Sequence, residues 1–211
     1  MSEDFSDKRI LVTGASNGLG WVVAKEFAQR NGRLIISGRN ESKLFELKAL
    51  LSYPDRHTIF AGDLLELENI ERLEEKCREF FGDLDIIIHV AGGGYGFRDP
   101  LLTWEQFHKL LKINVSCAVE INRRLVPEMV KNCYGRVVHV GSIAGQEATS
   151  SVGYNTVKAA LSGYVRSLGR ELAGSGVVVT GILPGAFYAP GNSWRRLKEN
   201  KPEVVEQFIN R

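Results

Sequence analysis

The stretch "RILVTGASNGLG", residues 9–20, decides the fold of this chain. Its apolar first half predicts a buried β-strand, and the glycines that follow it lead into a helix. Gly14, Gly18 and Gly20 permit a tight turn in which backbone N–H groups can approach a phosphate at the N-terminus of the helix. This stretch therefore predicts a strand, a turn and a helix that together could bind an anion.

The same turn carries side chains that suit a phosphate ligand. Ser16 and Asn17 can donate hydrogen bonds or cap the helix, and Leu19 lies between the last two glycines. A glycine-rich turn that binds nothing is the alternative. The order of strand, turn and helix favours the pyrophosphate of a dinucleotide, and these residues are predicted to line its site.

Apolar strand-like runs alternate with longer helical patterns along the whole sequence. The predicted strands are 9–14, 33–38, 57–63, 84–92, 135–142 and 177–185, and the predicted helices are about 19–30, 41–51, 67–81, 103–132 and 153–173. Strands that are apolar on both faces and separated by helices predict a parallel sheet covered on both sides. We therefore expect an α/β chain with a single doubly wound, Rossmann-type domain over residues 1–211.

Composition and charge exclude several classes of protein. The chain has 211 residues and a mass of 23.5 kDa, with 44% hydrophobic and 25% charged residues, as expected for one globular domain. A net charge of +2 is too small to indicate nucleic acid or an anionic membrane as a partner. No apolar run is long enough to cross a membrane, and the acidic, polar start does not resemble a secretory signal. We expect a cytoplasmic protein.

The cysteines support the same expectation. Cys77, Cys117 and Cys133 are odd in number and far apart, which predicts free thiols in a reducing compartment. No metal-binding spacing occurs in the sequence, so no metal is expected.

The residue after the second strand bears on the choice of nucleotide. An NAD site usually carries Asp or Glu there, and this carboxylate binds the ribose hydroxyls. Here Gly38 is followed by Arg39, whose guanidinium can form paired bonds to a phosphate. The pattern favours NADP(H), with its 2′-phosphate, over NAD(H), and extends the site to Asn40. A solvated Arg39 near a helix start is the alternative, and Glu41 is poorly placed to bind ribose.

Asp63 follows the third strand and precedes Leu64. At the carboxyl end of a strand, its carboxylate could accept a hydrogen bond from an adenine amino group. An N-cap of the next helix is the alternative role for Asp63, and the two roles are compatible. We expect both residues to line the nucleotide site.

The run "YNTVK", residues 154–158, places a tyrosine and a lysine four positions apart in a predicted helix. Tyr154 and Lys158 therefore lie on one helix face, in an apolar context where lysine is rarely buried unless something holds it. Taken alone, this pentad also fits a surface helix with a packed tyrosine and a solvated lysine.

Together, these motifs resemble the classical short-chain dehydrogenases/reductases over nearly the whole chain. The matching elements, in family order, are "TGASNGLG" (13–20), Asp63, "AG" (91–92), Asn114, Ser142, "YNTVK" (154–158) and "LPG" (183–185). The resemblance implies hydride transfer between a nicotinamide and a carbonyl or alcohol, with a catalytic set of Asn114, Ser142, Tyr154 and Lys158. It also implies that the cofactor is bound by Asn114, Tyr154 and Lys158 and bordered by Ala91, Gly92, Pro184 and Gly185.

The implied chemistry agrees with simple electrostatics. An unperturbed tyrosine pKa near 10 is too high for efficient proton exchange at neutral pH. A cation about 4 Å away is worth roughly 4 kcal/mol at an effective dielectric of ~20, enough to lower that pKa by up to about three units. We expect Lys158 to lower the pKa of Tyr154 and to hold the nicotinamide ribose. Ser142 would bind the substrate oxygen, and Asn114 would support a water that leads protons to Lys158.

Two local features depart from the family pattern. The usual Asn-Asn-Ala-Gly after the fourth strand reads His89-Val90-Ala91-Gly92 here. Val90 cannot make the structural bonds of the asparagine, so we expect a modest effect, and we expect His89 to be a packed strand residue. Tyr154 also follows Ser142 by one position fewer than is usual, a difference that the turn should absorb.

The third departure is the length of the chain, because relatives continue through a seventh strand and a C-terminal tail. We expect an open sheet edge, and residues of about 186–211 to form a helical segment that covers the substrate. The pocket is expected to be lined by 92–102, 144–152 and 185–197. Its aromatic residues would be Tyr95, Phe97, Phe187, Tyr188 and Trp194, and its cations Arg98, Arg195, Arg196 and Lys198. The cations could meet an anionic substrate, although solvated charges are the simpler interpretation.

The leading functional interpretation is an NADP-dependent oxidoreductase that interconverts a carbonyl and a secondary alcohol. Its substrate is left open between a 3-oxoacyl group on a carrier, a sugar and a small ketone. An NADPH-binding regulatory or scaffold protein without turnover is the alternative. An epimerase or dehydratase fits less well, because the extended relatives use a G-x-x-G-x-x-G pattern. The resemblance also implies a homodimer or homotetramer, in which helices 103–132 and 153–173 pair with their copies.

Overall fold

One parallel sheet forms the centre of the protein in the computed structural model, which describes residues 4–188 and 193–209. Its strands are β1 (Arg9–Thr13), β2 (Arg33–Gly38), β3 (Thr58–Ala61), β4 (Ile86–His89), β5 (Gly135–Val140) and β6 (Val177–Ile182). The order across the sheet is β3-β2-β1-β4-β5-β6. This is the strand order of a doubly wound fold, so the predicted fold class is confirmed.

Helices connect the strands and follow the last one. They are α1 (Gly18–Gln29), α2 (Glu41–Leu50), α3 (Leu67–Phe81), α4 (Trp104–Leu111), α5 (Cys117–Lys131), α6 (Val152–Glu171), α7 (Ser193–Asn200) and α8 (Pro202–Ile209). Short 3-10 turns occur at Pro54–Arg56 and Ile143–Gly145. Among the described helices, none is both long and apolar enough to cross a membrane.

The predicted helix 103–132 is interrupted. A π-helical turn, Lys112–Ser116, joins α4 to α5. Asn114 lies inside this turn and donates a side-chain hydrogen bond of 2.9 Å to the carbonyl of Leu110. A polar side chain bonded to the preceding turn competes with the regular backbone ladder, which accounts for a local departure from α geometry.

The sheet is covered on both faces, as its apolar strands require. On one face, residues of α3 and α5 such as Leu73, Ile121 and Met129 pack against the strands. On the other face, α1 and α2 supply residues such as Ala24 and Leu44. Because all the strands are parallel, the loops that follow them emerge at the same edge of the sheet, where they can form one cleft.

Several strands end earlier than the sequence predicted. β4 ends at His89 and not at 92, β5 at Val140 and not at 142, and β6 at Ile182 and not at 185. The residues left over at these ends include Ala91, Ser142 and Pro184, which belong to the loops of the cleft. These three predictions were too long because a sequence pattern does not show where the ladder hydrogen bonds of a strand end.

Candidate active site

The glycine turn after β1 is pressed against the loop after β4. Gly14 has a φ of +69°, and a Cβ on this residue would lie 2.7 Å from the backbone nitrogen of Ala91. A Cβ on Gly20 would overlap the carbonyl oxygen of Gly14. Any larger residue at either position would push the turn away from the sheet edge, so glycine is required for this close approach.

The turn also holds polar groups that are available to a ligand. The Ser16 hydroxyl is buried and, within the described structure, makes no hydrogen bond. Asn17 occupies the N-cap of α1, but its side chain makes no capping bond. A buried hydroxyl without a partner is unusual in a folded protein, and the first N–H groups of a helix have no partner within the helix. This donor set fits the pyrophosphate of a dinucleotide.

Thr13 holds the loop after β4 in place. Its hydroxyl oxygen accepts hydrogen bonds from the backbone N–H groups of Val90 at 3.1 Å and Ala91 at 3.2 Å. The family's asparagine would make structural hydrogen bonds that the Val90 side chain cannot make. Thr13 holds the loop with its own hydrogen bonds instead, a role that the sequence analysis did not predict. His89 is packed as expected: it is buried, its Nε2 lies 2.8 Å from Asn122 Oδ1, and its ring stacks on His139 at 4.4 Å.

Asn114 fixes the next part of this loop. Its side-chain oxygen accepts from the N–H of Gly93 at 3.1 Å, and its amide nitrogen donates to the carbonyl of Gly93 at 2.9 Å. Asn114 is only 2% exposed, because the π-helical turn directs its side chain into the molecule. The side chain therefore clamps the loop, whereas its support of a proton-carrying water stays a prediction.

Lys158 is buried at the centre of the site, with only 3% of its surface exposed. Its ammonium group donates a hydrogen bond of 3.0 Å to the carbonyl of Val140, at the end of β5. Burial disfavours the charged form and lowers the pKa of Lys158 to about 8. The solvated-lysine alternative is wrong, since a backbone carbonyl holds this side chain inside the protein.

Tyr154 lies one helical turn before Lys158 on α6. Burial raises the pKa of Tyr154, and a hydrogen bond from the Ser142 side chain opposes that rise. The Lys158 ammonium lies 5.6 Å from the centroid of the Tyr154 ring. The predicted lowering of the Tyr154 pKa by Lys158 is therefore not seen in the structure. The Lys158 ammonium donates to Val140 instead, and burial of the Tyr154 phenol has the largest effect on its pKa. The structure nevertheless brings Ser142, Tyr154 and Lys158 together.

Two loops flank the tyrosine. A Cβ on Gly94 would lie 3.7 Å from the Tyr154 ring, so the loop after β4 passes over this side chain. On the other side, the carbonyl of Pro184 accepts a hydrogen bond of 3.2 Å from the N–H of Ile143. This bond holds Pro184, and Gly185 after it, beside the turn that begins at Ser142. The loop after β4 thus lies over Tyr154, and the segment after β6 lies beside the turn that begins at Ser142.

Arg39 and Asp63 meet at the other end of the cleft, beyond β2 and β3. Arg39 Nη1 lies 4.0 Å from Asp63 Oδ2, and both side chains are partly exposed. Asp63 also accepts a hydrogen bond of 3.1 Å from the N–H of Leu65. The N-cap of α3 is Glu66, so the capping alternative for Asp63 is wrong. Asn40 caps α2 by accepting from the N–H of Lys43 at 3.0 Å.

Tyr95, which the sequence analysis predicts to line the substrate pocket, lies on the loop after β4. Burial raises the pKa of the Tyr95 phenol, and the charge of the nearby Arg39 guanidinium opposes that rise. Its ring packs against the core cluster on the α3 and α5 side of the sheet, and Lys109 Nζ lies 4.7 Å from the ring centroid. Gly93, Tyr95 and Gly96 all have positive φ, and no sequence pattern predicts how such a loop turns.

Among the remaining predicted pocket residues, Phe97 and Arg98 lie on the loop after β4, and the others lie on the segments after β5 and β6. Arg195 pairs with Glu199 at 3.1 Å, and Lys198 Nζ lies 4.9 Å from the Tyr188 ring centroid. Residues 189–192 of this segment lie outside the described residues. In the described ranges, no group of three or more His, Cys, Asp or Glu could hold a metal ion. Cys77 and Cys117 are buried free thiols, and Cys133 is an exposed one.

The glycine turn, the doubly wound sheet and the Ser-Tyr-Lys cluster define a dinucleotide-binding α/β oxidoreductase. The chain belongs to the short chain dehydrogenase family, whose model matches residues 8–200. Membership agrees with the resemblance found in the motifs, which is thereby confirmed.

Three relatives illustrate the family. The 3-oxoacyl-(acyl-carrier-protein) reductase of Rickettsia conorii is 31% identical over 207 residues, which cover 98% of this chain and 83% of the relative. A solved 3-oxoacyl (acyl-carrier-protein) reductase of Agrobacterium tumefaciens with NADP bound superimposes with a TM-score of 0.87 at 25% identity, covering 98% of this chain and 80% of that one. L-sorbose reductase of Gluconobacter frateurii, complexed with NADPH and L-sorbose, gives 0.86 at 27% identity, covering 99% and 81%.

Proposed function

We propose that this chain is an NADP-dependent oxidoreductase that interconverts a carbonyl and a secondary alcohol by hydride transfer. The observation that carries the proposal is the convergence of Ser142, Tyr154 and Lys158 next to the glycine turn. The three side chains come from the end of β5 and from α6, and Lys158 is held in a buried position by a backbone carbonyl. A buried lysine beside a half-buried tyrosine is costly unless the pair serves a ligand.

Each residue of the cluster has a role that its contacts support. When NADPH is bound, its nicotinamide supplies the hydride. The Tyr154 phenol donates the proton to the substrate oxygen, and Ser142, whose side chain lies near that phenol and opposes the rise of its pKa, orients the same oxygen. Lys158 uses one of its N–H groups on Val140 and has two more for the ribose hydroxyls. Asn114 holds the loop over Tyr154 and completes the catalytic set.

The proposed binding of NADP(H) rests on the glycine turn after β1 and on Arg39. The unpaired Ser16 hydroxyl and the N-terminus of α1 suit the pyrophosphate. Arg39 offers a cation at the position where an NAD site would carry a carboxylate, which favours NADP(H). Relatives that were solved with NADP or NADPH agree with this preference.

The substrate class follows only from relatives, so we propose two candidates. One is a 3-oxoacyl group on a carrier, and the other is a ketose, after the names of the reductases to which this chain is similar. Residues of about 186–211 would cover the substrate. We also propose at least a dimer through α5 and α6, and a monomer in sedimentation at micromolar concentration would contradict it.

The experiment is a fluorescence titration with NADPH and NADH, followed by assays of NADPH oxidation with a 3-oxoacyl thioester and with L-sorbose. Preferential NADPH binding with turnover of either compound is expected. Tight NADPH binding without turnover across a wider carbonyl screen would favour the alternative, a regulatory or scaffold protein. Binding of neither nucleotide would overturn the proposal.

A further inference from the structure

The segment that carries Ser142, residues 140–145, meets Lys158 at both of its ends. At the first end, the carbonyl of Val140 accepts the hydrogen bond of 3.0 Å from the Lys158 ammonium. At the other end, Gly145 lies directly against the backbone of Lys158 on α6. Ser142 is therefore in the middle of a short segment that contacts one helical residue through its side chain and through its main chain.

The contact at Gly145 leaves no room for a side chain. A Cβ on this residue would lie 2.7 Å from the carbonyl carbon and the carbonyl oxygen of Lys158, and 3.0 Å from the nitrogen of Ala159. These atoms belong to the backbone of a helix, which cannot move aside as the end of a flexible side chain can. Gly145 does not have a positive φ, so its backbone conformation is open to alanine. Glycine is required here by the close approach alone.

The opposite side of the turn is held by the segment after β6. The N–H of Ile143 donates a hydrogen bond of 3.2 Å to the carbonyl of Pro184. Inside the turn, the Ser142 hydroxyl accepts from the N–H of Ala144 at 3.2 Å, so its oxygen moves with the backbone of the turn. Because the turn lies between two neighbours, the space at Gly145 sets how near Ser142 comes to α6.

We propose that Gly145 is a positioning residue of the reaction, because the absence of a side chain at this position sets the distance of Ser142 from Tyr154 and Lys158. The inference rests on the proposed function and adds to it a residue that acts through Ser142. Tyr154 and Lys158 are fixed relative to each other by the helix that carries both. Ser142 comes from a different element, so its alignment with them depends on the contact between the turn and α6.

The expected displacement follows from the contact distances. Ordinary van der Waals contact of a Cβ begins at 3.4 Å, whereas the contact of a Cβ at Gly145 would be 2.7 Å. Relief of the overlap in Gly145→Ala therefore needs a relative shift of about 0.7 Å between the turn and the helix. A misplacement of about 1 Å in catalytic geometry can cost roughly a hundredfold in rate. The glycine turn after β1 is not part of this contact and should keep its position.

The test compares Gly145→Ala with the wild-type chain in NADPH titrations and in assays of NADPH oxidation with a 3-oxoacyl thioester and with L-sorbose. We expect kcat per NADPH-binding site to fall by about a hundredfold, with the affinity for NADPH within about twofold. A loss of folded protein would instead lower turnover and the number of binding sites together. A crystal structure of the variant should show Ser142 displaced from α6 by about 0.7 Å.

Two further glycines of α6 provide matched controls. Gly163→Ala makes the same substitution where a Cβ would meet no atom within 4 Å, and it should leave kcat unchanged. Gly169→Ala creates a similar overlap, 2.9 Å from the carbonyl oxygen of Val179, about three helical turns beyond Lys158. This overlap should lower Tm but leave kcat per binding site within about twofold, because it does not touch the turn that carries Ser142.

The other outcomes separate the inference from the function beneath it. If the wild-type chain reduces a carbonyl compound and Gly145→Ala keeps near-normal kcat, the inference fails while the proposed function stands. An unmoved Ser142 in the crystal structure would overturn it as well, and so would an equal loss of kcat per site in Gly169→Ala, since any overlap on α6 would then suffice. If the wild-type chain binds NADPH but reduces no compound of a wider carbonyl screen, both proposals fail.

Discussion

The two ends of the cleft are built in different ways. At the catalytic end, Lys158 and Asn114 are 3% and 2% exposed, and each donates to a backbone carbonyl. At the opposite end, called the Arg39 end here, the side chains of Arg39 and Asp63 are 62% and 37% exposed and lie 4.0 Å apart. Buried groups bonded to the backbone keep one position, whereas exposed ion pairs are weak and mobile. Under the proposed function, the fold presets the catalytic groups, and the choice of cofactor depends on side chains that can change without disturbing the core.

The largest expected effect is at the catalytic end. Tyr154→Phe removes the proton donor while the ring still fills its place, so turnover should fall by about a thousandfold. NADPH affinity should stay within about twofold, since the phosphate-binding groups lie elsewhere. Steady-state kinetics and a binding titration measure the two quantities.

Tyr164→Phe is the matched control for that substitution. Tyr164 lies on the same helix, and its hydroxyl accepts a hydrogen bond of 3.0 Å from Asn122, away from the cleft. Its loss should lower the free energy of unfolding by about 1 kcal/mol and leave turnover in place. If Tyr154→Phe were to keep near-normal turnover, the assignment of the proton donor would be wrong.

The next largest effect is expected at the Arg39 end of the cleft, where the side chains are exposed. Arg39→Asp should shift the ratio of NADPH to NADH affinity by about a hundredfold toward NADH, because a carboxylate repels the 2′-phosphate and can accept from ribose hydroxyls. Paired titrations of both nucleotides give this ratio. Arg30→Asp makes the same change of charge beyond the C-terminal end of α1 and should leave the ratio unchanged. An unaltered ratio in Arg39→Asp would place the phosphate contact on other residues.

A smaller effect is expected from the histidines beneath the catalytic end. Burial lowers the pKa of His89 to about 4 and that of His139 to about 2, both from an ordinary value of 6.5. In the unfolded chain these histidines keep their ordinary pKa, so they take up protons at a higher pH than in the folded protein. The free energy of unfolding is therefore highest above pH of about 6.5 and declines as the pH falls toward about 4. From pH 7 to 5, His89 alone should reduce the free energy of unfolding by about 2 kcal/mol.

Denaturant unfolding at a series of pH values measures this decline. In His89→Asn, which restores the family's residue and cannot take up a proton, the slope with pH should be smaller than in the wild-type chain. An identical slope in both proteins would show that other groups cause the acid sensitivity.

The smallest effect is expected from the exposed ion pair between Arg39 and Asp63. Asp63→Asn removes the charge that faces Arg39 but keeps an oxygen that can accept from Leu65. An ion pair between exposed side chains contributes little, so the free energy of unfolding should change by less than about 0.5 kcal/mol. If denaturant unfolding showed a loss of 2 kcal/mol or more in the free energy of unfolding, the side chains at the Arg39 end would be as strongly held as those at the catalytic end.

Much of the architecture could be predicted because it depends on local patterns. The alternation of apolar strands and helices gave the doubly wound sheet, and glycine spacing marked the turn after β1. The Tyr154 and Lys158 pair follows from helical periodicity, which holds wherever the helix packs. Strand ends were less accurate because a hydrophobic run does not reveal where ladder bonding stops.

Contacts between distant segments could not be predicted in the same way. Thr13 bonds to the backbone of Val90 and Ala91, and Val140 holds Lys158 through its carbonyl, which no side-chain pattern records. The π-helical turn at Asn114 was read as continuous helix, because the bond from its side chain to Leu110 is specific to the folded chain.

The sequence by itself determined the class of the sheet and the glycine turn, since periodicity and local spacing encode them, and its resemblance to the family implied the cluster of Ser142, Tyr154 and Lys158. Only the tertiary structure decided that Asn114 clamps the loop after β4 and that the Tyr95 ring packs against the core cluster on the α3 and α5 side of the sheet. The physical reason is that a loop with three positive-φ residues can turn in many directions, and its path is selected by hydrogen bonds and packing from elements far apart in the chain.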